Sequence, residues 1–203
     1  MKIAIYGGSF DPPHKGHQNA VGLVQDFLKP DLFLIIPSNI TNNKKVTEDR
    51  AQAWARMDMC RLAFSFADNI RVSDMELKRS GISYTIDTLR ELAQKYEDSE
   101  FYFVMGTDQF LDFTSWYRFQ DILKICTLVV LSRQTDDDDD IIRQRDELVR
   151  DFSARVIFLD NDPLPVSSSE IRAHPELAGM VDPAVYEYMK KNGLYYFAES
   201  SLR

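Results

Sequence analysis

Positive charge is scarce in this sequence: 24 lysines and arginines stand against 32 aspartates and glutamates, a formal net charge of -8. A broad basic footprint for a nucleic-acid backbone is thereby excluded, and any anionic ligand has to be held by a local site working against the global field. Cysteine is nearly absent. Cys60 and Cys126 lie within helix-like and strand-like apolar patterns with no CxxC spacing, which points to two buried thiols in a reducing, cytoplasmic compartment rather than to a disulfide framework. Long apolar runs are missing as well: Leu32 to Pro37 and Thr127 to Leu131 fall far short of the roughly 20 residues a membrane-spanning helix needs. No membrane association and no secretory leader are expected. The chain contains neither a P-loop nor a G-x-G-x-x-G fingerprint, and no internal repeat is visible. Histidine is scarce too, with three in the whole chain.

What is present suits a globular protein of one domain, since 203 residues, 44% apolar and 28% charged, are ordinary values for that class. Six short apolar runs have the length of buried strands: Lys2 to Tyr6, Leu32 to Pro37, Ile70 to Leu77, Glu100 to Met105, Thr127 to Leu131 and Val156 to Leu159. Helical periodicity separates them. Over Thr47 to Phe66 the stripe is Trp54, Met57, Cys60 and Phe64, with Glu48 and Asp49 suited to the helix start. Over Thr85 to Tyr96 it is Ile86, Leu89, Leu92 and Tyr96. Asp182 to Tyr195 is a helix opened by Asp-Pro and closed near Gly193, after which Leu194 to Phe197 pack back. This alternation implies an α/β fold, a doubly wound, mostly parallel Rossmann-like sheet with helices on both faces. Ligands in such sheets bind beyond the C-terminal ends of the strands.

Two of the three histidines fall in the stretch GGSFDPPHKGH, Gly7 to His17, at the end of the first strand. Gly7 and Gly8 allow a sharp turn and the close approach of a bulky anion to backbone amides. A helix starting near Gly16 would put His14 and His17 at its positive end, with their ring N-H groups toward one phosphate and no Gly16 side chain between them. Competing readings remain. Zinc needs further ligands, and beyond Asp11 the remaining histidine, His174, is remote in sequence. A nucleophilic serine needs an elbow motif that Ser9 lacks. Capping and packing alone would also account for the pair.

Other candidates lie near strand ends. Gly106, Thr107 and Asp108 follow the fourth strand, where an aspartate can accept ribose hydroxyls or simply cap a helix. Ser167, Ser168 and Ser169 lead into Arg172, a set suited to a triphosphate or, as the alternative, to a serine cap with a surface arginine. The five aspartates Asp136 to Asp140 point in several directions, so a solvated loop into a helix Ile141 to Arg150 is favoured over a cation site.

Five segments in order resemble the HxGH-type nucleotidylyltransferases, and within them the bacterial nicotinate-nucleotide adenylyltransferases: GGSFDPPHKGH, SYTIDTL at Ser83, FVMGTDQFLDFTSWYRF at Phe103, VSSSEIR at Val166 and VYEYMKKNGLY at Val185. The chain departs from the family at Thr41-Asn42-Asn43-Lys44, where Pro-Pro-His-Lys is usual, and at Ser169, where threonine is usual. The resemblance implies one nucleotidylyltransferase domain over 1–203, with a C-terminal helical part from about 166 completing an ATP site. It implies adenylyl transfer from ATP to nicotinate mononucleotide in NAD biosynthesis, with Mg2+ bound alongside ATP. His14, His17, Lys44 and Arg172 would be catalytic. Gly7, Gly8, Ser9, Phe10, Gly16, Gly106, Asp108, Ser168 and Ser169 would bind ATP. Trp116 would stack on the pyridine ring, while Thr85 and backbone amides, including that of Tyr117, would meet its carboxylate.

Overall fold

Ile3, Ala4 and Ile5 are fully inaccessible to solvent, and all seven residues of Cys126–Ser132 are buried. Strands of this kind have both faces covered, the condition of a parallel sheet between helical layers. The computed structural model, which describes residues 1–39, 51–132, 139–160 and 164–197, has that arrangement. In chain order its elements are β1 (Lys2–Gly8), α1 (Lys15–Leu28), β2 (Leu32–Pro37), α2 (Ala53–Ala63), β3 (Ile70–Val72), α3 (Thr85–Lys95), β4 (Glu100–Gly106), α4 (Thr107–Leu111), α5 (Phe119–Ile125), β5 (Cys126–Ser132), α6 (Asp139–Phe152), β6 (Val156–Asp160), α7 (Ser168–Ala173) and α8 (Pro183–Lys191). Short 3-10 turns lie at Phe113–Ser115 and Pro175–Met180.

Among the described residues the sheet is wholly parallel, with six strands in the order β3-β2-β1-β4-β5-β6. Period-two alternation sends successive side chains to opposite faces. Ala4, Phe33 and Val129 therefore join α1, α2, α7 and α8 in one core, while Ile3, Ile5 and Val130 join α3, α4, α5 and α6 in the other. The order reverses between β1 and β4, and a doubly wound sheet opens a crevice at such a switch. Among the described residues, no helix is long and apolar enough to cross a membrane.

Several boundaries differ from the sequence expectation. β3 stops at Val72 rather than Leu77, because after Ser73 donates to the Ile35 carbonyl the backbone bonds turn local: Lys78 to Asp74 and Arg79 to Glu76. The charged residues Asp74, Glu76 and Lys78 belong to these turns. The second helix starts at Ala53, and Trp54 is 54% exposed instead of joining Met57, Cys60 and Phe64 in the core. Ala55, Met59 and Ala63 take the inner face there. α8 ends at Lys191, where Leu194 donates back to the Met189 carbonyl across Gly193, whose φ of 57° needs no strain in glycine. Of the aspartate run, Asp139 and Asp140 form the first turn of α6, and the others lie outside the described residues.

Candidate active site

The loop between β1 and α1 is built around buried groups. Phe10 turns inward with φ 45° and 1% exposure, edge-on to Tyr6, Phe64 and His17. A Cβ on Gly8 would meet that ring at 3.1 Å, so the second glycine is fixed by packing. The Asp11-Pro12 peptide is cis. His14 is the N-cap of α1 and His17 the third residue of its first turn, with ring centroids 3.7 Å apart. His17 Nδ1 accepts the backbone N-H of His14 at 3.1 Å, which leaves the ring proton on Nε2. His14 Nδ1 is buried and has no hydrogen-bond partner among the described residues. Gly16 makes room for this arrangement, because a Cβ there would meet His14 Nδ1 at 3.0 Å.

Burial holds His14 down to about 4 against a smaller opposing pull from the Glu170 carboxylate. His17 is also held well below the usual histidine range, first by burial and then by His14. Both rings are therefore neutral N-H donors at pH 7, placed where the open amides of a helix start already favour an anion.

Remote elements grip the loop's carbonyls. Arg56 of α2 donates to the Ser9 carbonyl at 2.7 Å, Arg172 of α7 to that of Asp11 at 2.7 Å, and the Ser168 hydroxyl to that of Pro12 at 2.9 Å. Pro12 and Pro13 have no N-H, so without these donors the stretch would present bare acceptors. Ser167 caps α7 in a reciprocal pair with Glu170, and Arg172 also reaches the Ser169 hydroxyl at 3.4 Å. The Asp11 side chain, fully buried, accepts from Tyr195 at 2.7 Å and from the Ala51 N-H at 3.1 Å.

Beside the loop, at the switch between β1 and β4, lies a cleft of about 400 Å3. Gly7, Gly8, Ser9, Thr85, Asp108 and Trp116 are among the residues that line it. Trp116 is half-buried, edge-on to Phe103 and tilted against Phe113. Glu76 also lines the cleft. Its Oε1 accepts the Thr88 hydroxyl at 2.8 Å, and Arg79 donates to the same hydroxyl at 3.1 Å. Burial raises the Glu76 carboxyl above its ordinary range, against lowering by Thr88 and Arg79.

Residues 5–174 match a family described as cytidylyltransferase-like. Over 199 residues the chain is 35% identical to a protein of Caldicellulosiruptor saccharolyticus named "Probable nicotinate-nucleotide adenylyltransferase", covering 96% of this chain and 99% of that one. A Fusobacterium nucleatum protein of the same name is 34% identical over 196 residues, covering 94% and 98%. The chain belongs to the cytidylyltransferase-like family, among its nicotinate-nucleotide adenylyltransferases. In fold it is similar to the Plasmodium falciparum nicotinic acid mononucleotide adenylyltransferase complexed with NaAD, with TM-score 0.77, 22% identity and coverage of 97% and 98%.

For this cytidylyltransferase-like chain the expected site residues fall into two joined groups. His14, Gly16, His17, Ser168, Ser169 and Arg172 gather around the α1 and α7 starts, while Gly7, Gly8, Ser9, Thr85, Asp108 and Trp116 share the cleft. Phe10 contributes a buried ring packed against Gly8 and His17. Gly106 is the N-cap of α4, with its N-H on Gln109 Oε1 at 3.2 Å, so Asp108 lies inside the first turn and is not itself the cap. Tyr117 is 55% exposed and stacked with Tyr84 at 4.6 Å. Lys44 and the Thr41 to Asn43 departure lie outside the described residues. Arg172 is not the surface arginine of the serine-cap alternative, since its side chain is 15% exposed. Arg56, Glu76 and Tyr195 carry no signal in the sequence, because their one-dimensional settings are ordinary. In the sequence Asp11 suggests at most a zinc ligand, although its place inside the histidine motif is a usable signal.

Proposed function

We propose that the protein transfers the adenylyl group of ATP to nicotinate mononucleotide, giving nicotinate adenine dinucleotide and pyrophosphate in NAD biosynthesis. The observation that carries this reading is the close, neutral His14/His17 pair at the start of α1, beside a switch-point cleft lined by Thr85 and Trp116 among others. A phosphate oxygen of the mononucleotide attacks the α-phosphorus, a new P-O bond forms, and the bond to the bridging oxygen of pyrophosphate breaks. With a second phosphate pKa of about 6, the nucleophile is already mostly dianionic at neutral pH, so no general base is required. The work left to the protein is to align two anions and stabilise the charge that develops between them.

In this reading His17 Nε2-H donates to the α-phosphate, with His14 beside it. Arg172 and Lys44 hold the outer or acceptor phosphates. Gly7, Gly8, Ser9 and Phe10 supply backbone amides and close approach, Gly16 leaves space for the rings, and Gly106, Asp108, Ser168 and Ser169 border the adenylate. Mg2+ bound with ATP would neutralise charge on the triphosphate. The Asp11 carboxyl is engaged by Tyr195 and Ala51, and no three His, Cys, Asp or Glu side chains gather as a metal site among the described residues. An ion carried in with ATP would need few protein ligands. The pyridine ring stacks on Trp116, and Thr85 with nearby amides, including that of Tyr117, receives its carboxylate. The region from about 166 onward completes the ATP side within one domain. A cytoplasmic setting belongs to the same reading and rests on the free, buried thiols of Cys60 and Cys126.

The test is pyrophosphate release with ATP and Mg2+, comparing three acceptors. Nicotinate mononucleotide should react faster than nicotinamide mononucleotide, and phosphopantetheine should not react. Release with phosphopantetheine alone would overturn the substrate assignment.

A further inference from the structure

The cleft at the switch point is lined by the carboxylates of Glu76, Asp108 and Asp112 and, among the described residues, by no lysine, arginine or histidine. For an acceptor that carries a phosphate and a ring carboxylate, that lining is electrostatically adverse. Asp108 and Asp112 are exposed, and Asp112 accepts the Ser115 hydroxyl at 2.8 Å, so solvent screens both. Glu76 is half-buried. The Thr88 hydroxyl donates to its Oε1 at 2.8 Å and the Ser83 hydroxyl to its backbone carbonyl at 3.4 Å, while no described residue donates to Oε2.

Thr88 and Thr85 stand three positions apart on α3, hence on one face of it, and both line the cleft. The Glu76 carboxyl therefore lies on the side where the pyridine ring is proposed to bind. Arg79 also donates to the Thr88 hydroxyl, at 3.1 Å, but its guanidinium is paired with Glu91 at 2.9 Å. Burial raises the Glu76 carboxyl above its ordinary range, while the Thr88 hydroxyl and the Arg79 charge favour the ionised form. A half-buried negative charge beside a ligand weakens binding unless the ligand supplies a positive one. The proposed acceptor has one: a pyridine nitrogen bonded to ribose is quaternary, and its charge spreads over the ring.

We infer that Glu76 is a specificity-determining residue of the cleft: its carboxylate is the counter-ion of the pyridinium ring and selects an acceptor whose ring nitrogen is quaternised. The inference rests on the proposed acceptor. Trp116 acts on the same charge through the face of its indole, which also favours a cation, so the two residues together distinguish a charged ring from a neutral one.

The test is calorimetric titration of two mononucleotides into wild type and Glu76→Gln: nicotinate mononucleotide, and its 1,4-dihydro form, which has the same carboxylate and ribose phosphate on a neutral ring. Glutamine still accepts the Thr88 hydroxyl and removes only the charge. Wild type should bind the quaternised form more tightly. In Glu76→Gln its dissociation constant should rise about tenfold, the effect one opposite charge at close range has on an ionisation, while that of the dihydro form changes by less than roughly twofold. Each protein is compared with itself across two ligands, so a loss of folded material cancels. Equal losses with both ligands, as from a ribose contact or poor packing, would overturn the inference. So would unaltered or tighter binding of nicotinate mononucleotide by Glu76→Gln, or a wild type that binds both forms equally or neither. Because binding needs no turnover, these outcomes are separate from the pyrophosphate-release comparison that tests the transferase reading.

Discussion

Replacing His17 with asparagine separates two jobs that the ring performs. The amide of asparagine reaches the position of imidazole Nδ1, so it can still accept the His14 N-H now held at 3.1 Å, but nothing replaces Nε2-H. The local helix start is thereby kept while the proposed α-phosphate donor is lost. Removing one donor of this kind typically costs about 2.7 to 4 kcal/mol of transition-state stabilisation, or ~10²- to 10³-fold in kcat. Since the donor acts on charge that grows during transfer, ATP affinity should change far less than kcat. His17→Ala loses the acceptor as well, and should unfold at a lower temperature than His17→Asn by an amount corresponding to about 1 kcal/mol. The assays are pyrophosphate release at saturating substrates, calorimetric ATP binding and thermal unfolding. A His17→Asn enzyme with kcat within roughly threefold of wild type would remove His17 from the transfer step, and parallel losses in binding and kcat would make it a ground-state ligand.

Two further expectations follow from the same geometry. His14 is held at about 4 in the fold against an ordinary 6.5, so the unfolded chain binds the proton first; stability is intact above about pH 6.5 and falls as pH drops toward 4. The full difference is on the order of 3 kcal/mol, and denaturant unfolding of wild type against His14→Asn should converge as pH falls through that window. Curves that stay parallel would contradict the burial of His14. Trp116→Ala should raise the KM for nicotinate mononucleotide and leave that for ATP nearly unchanged, because the indole lines the cleft proposed to take the pyridine ring. An unaltered mononucleotide KM would end the stacking role.

Much of the framework was legible because apolar periodicity reports burial directly. Leu32–Pro37 is a strand over the span its composition suggests, and Ile86, Leu89 and Leu92 face the core as their spacing requires. The spacing of His14 and His17 was enough to place both at one helix start, since capping is a local property. Trp54 escaped this logic. Its apolar type fits a stripe, but which face of α2 turns inward depends on what packs against it. β3 escaped it too, since an apolar run ends as a strand wherever its neighbour stops pairing, here just beyond Val72.

By itself the sequence determined the alternation of strands and helices, the crevice at the strand ends and the histidine pair, each fixed by contacts within a few residues or by a repeating period. Only the tertiary structure decided how the loop around that pair is held. Arg56 on the Ser9 carbonyl, Arg172 on that of Asp11 from 161 positions away, and Tyr195 on the Asp11 carboxyl are single hydrogen bonds between distant elements. Such bonds have no period and no local propensity, because they arise where α2, α7 and the segment after α8 converge on the loop.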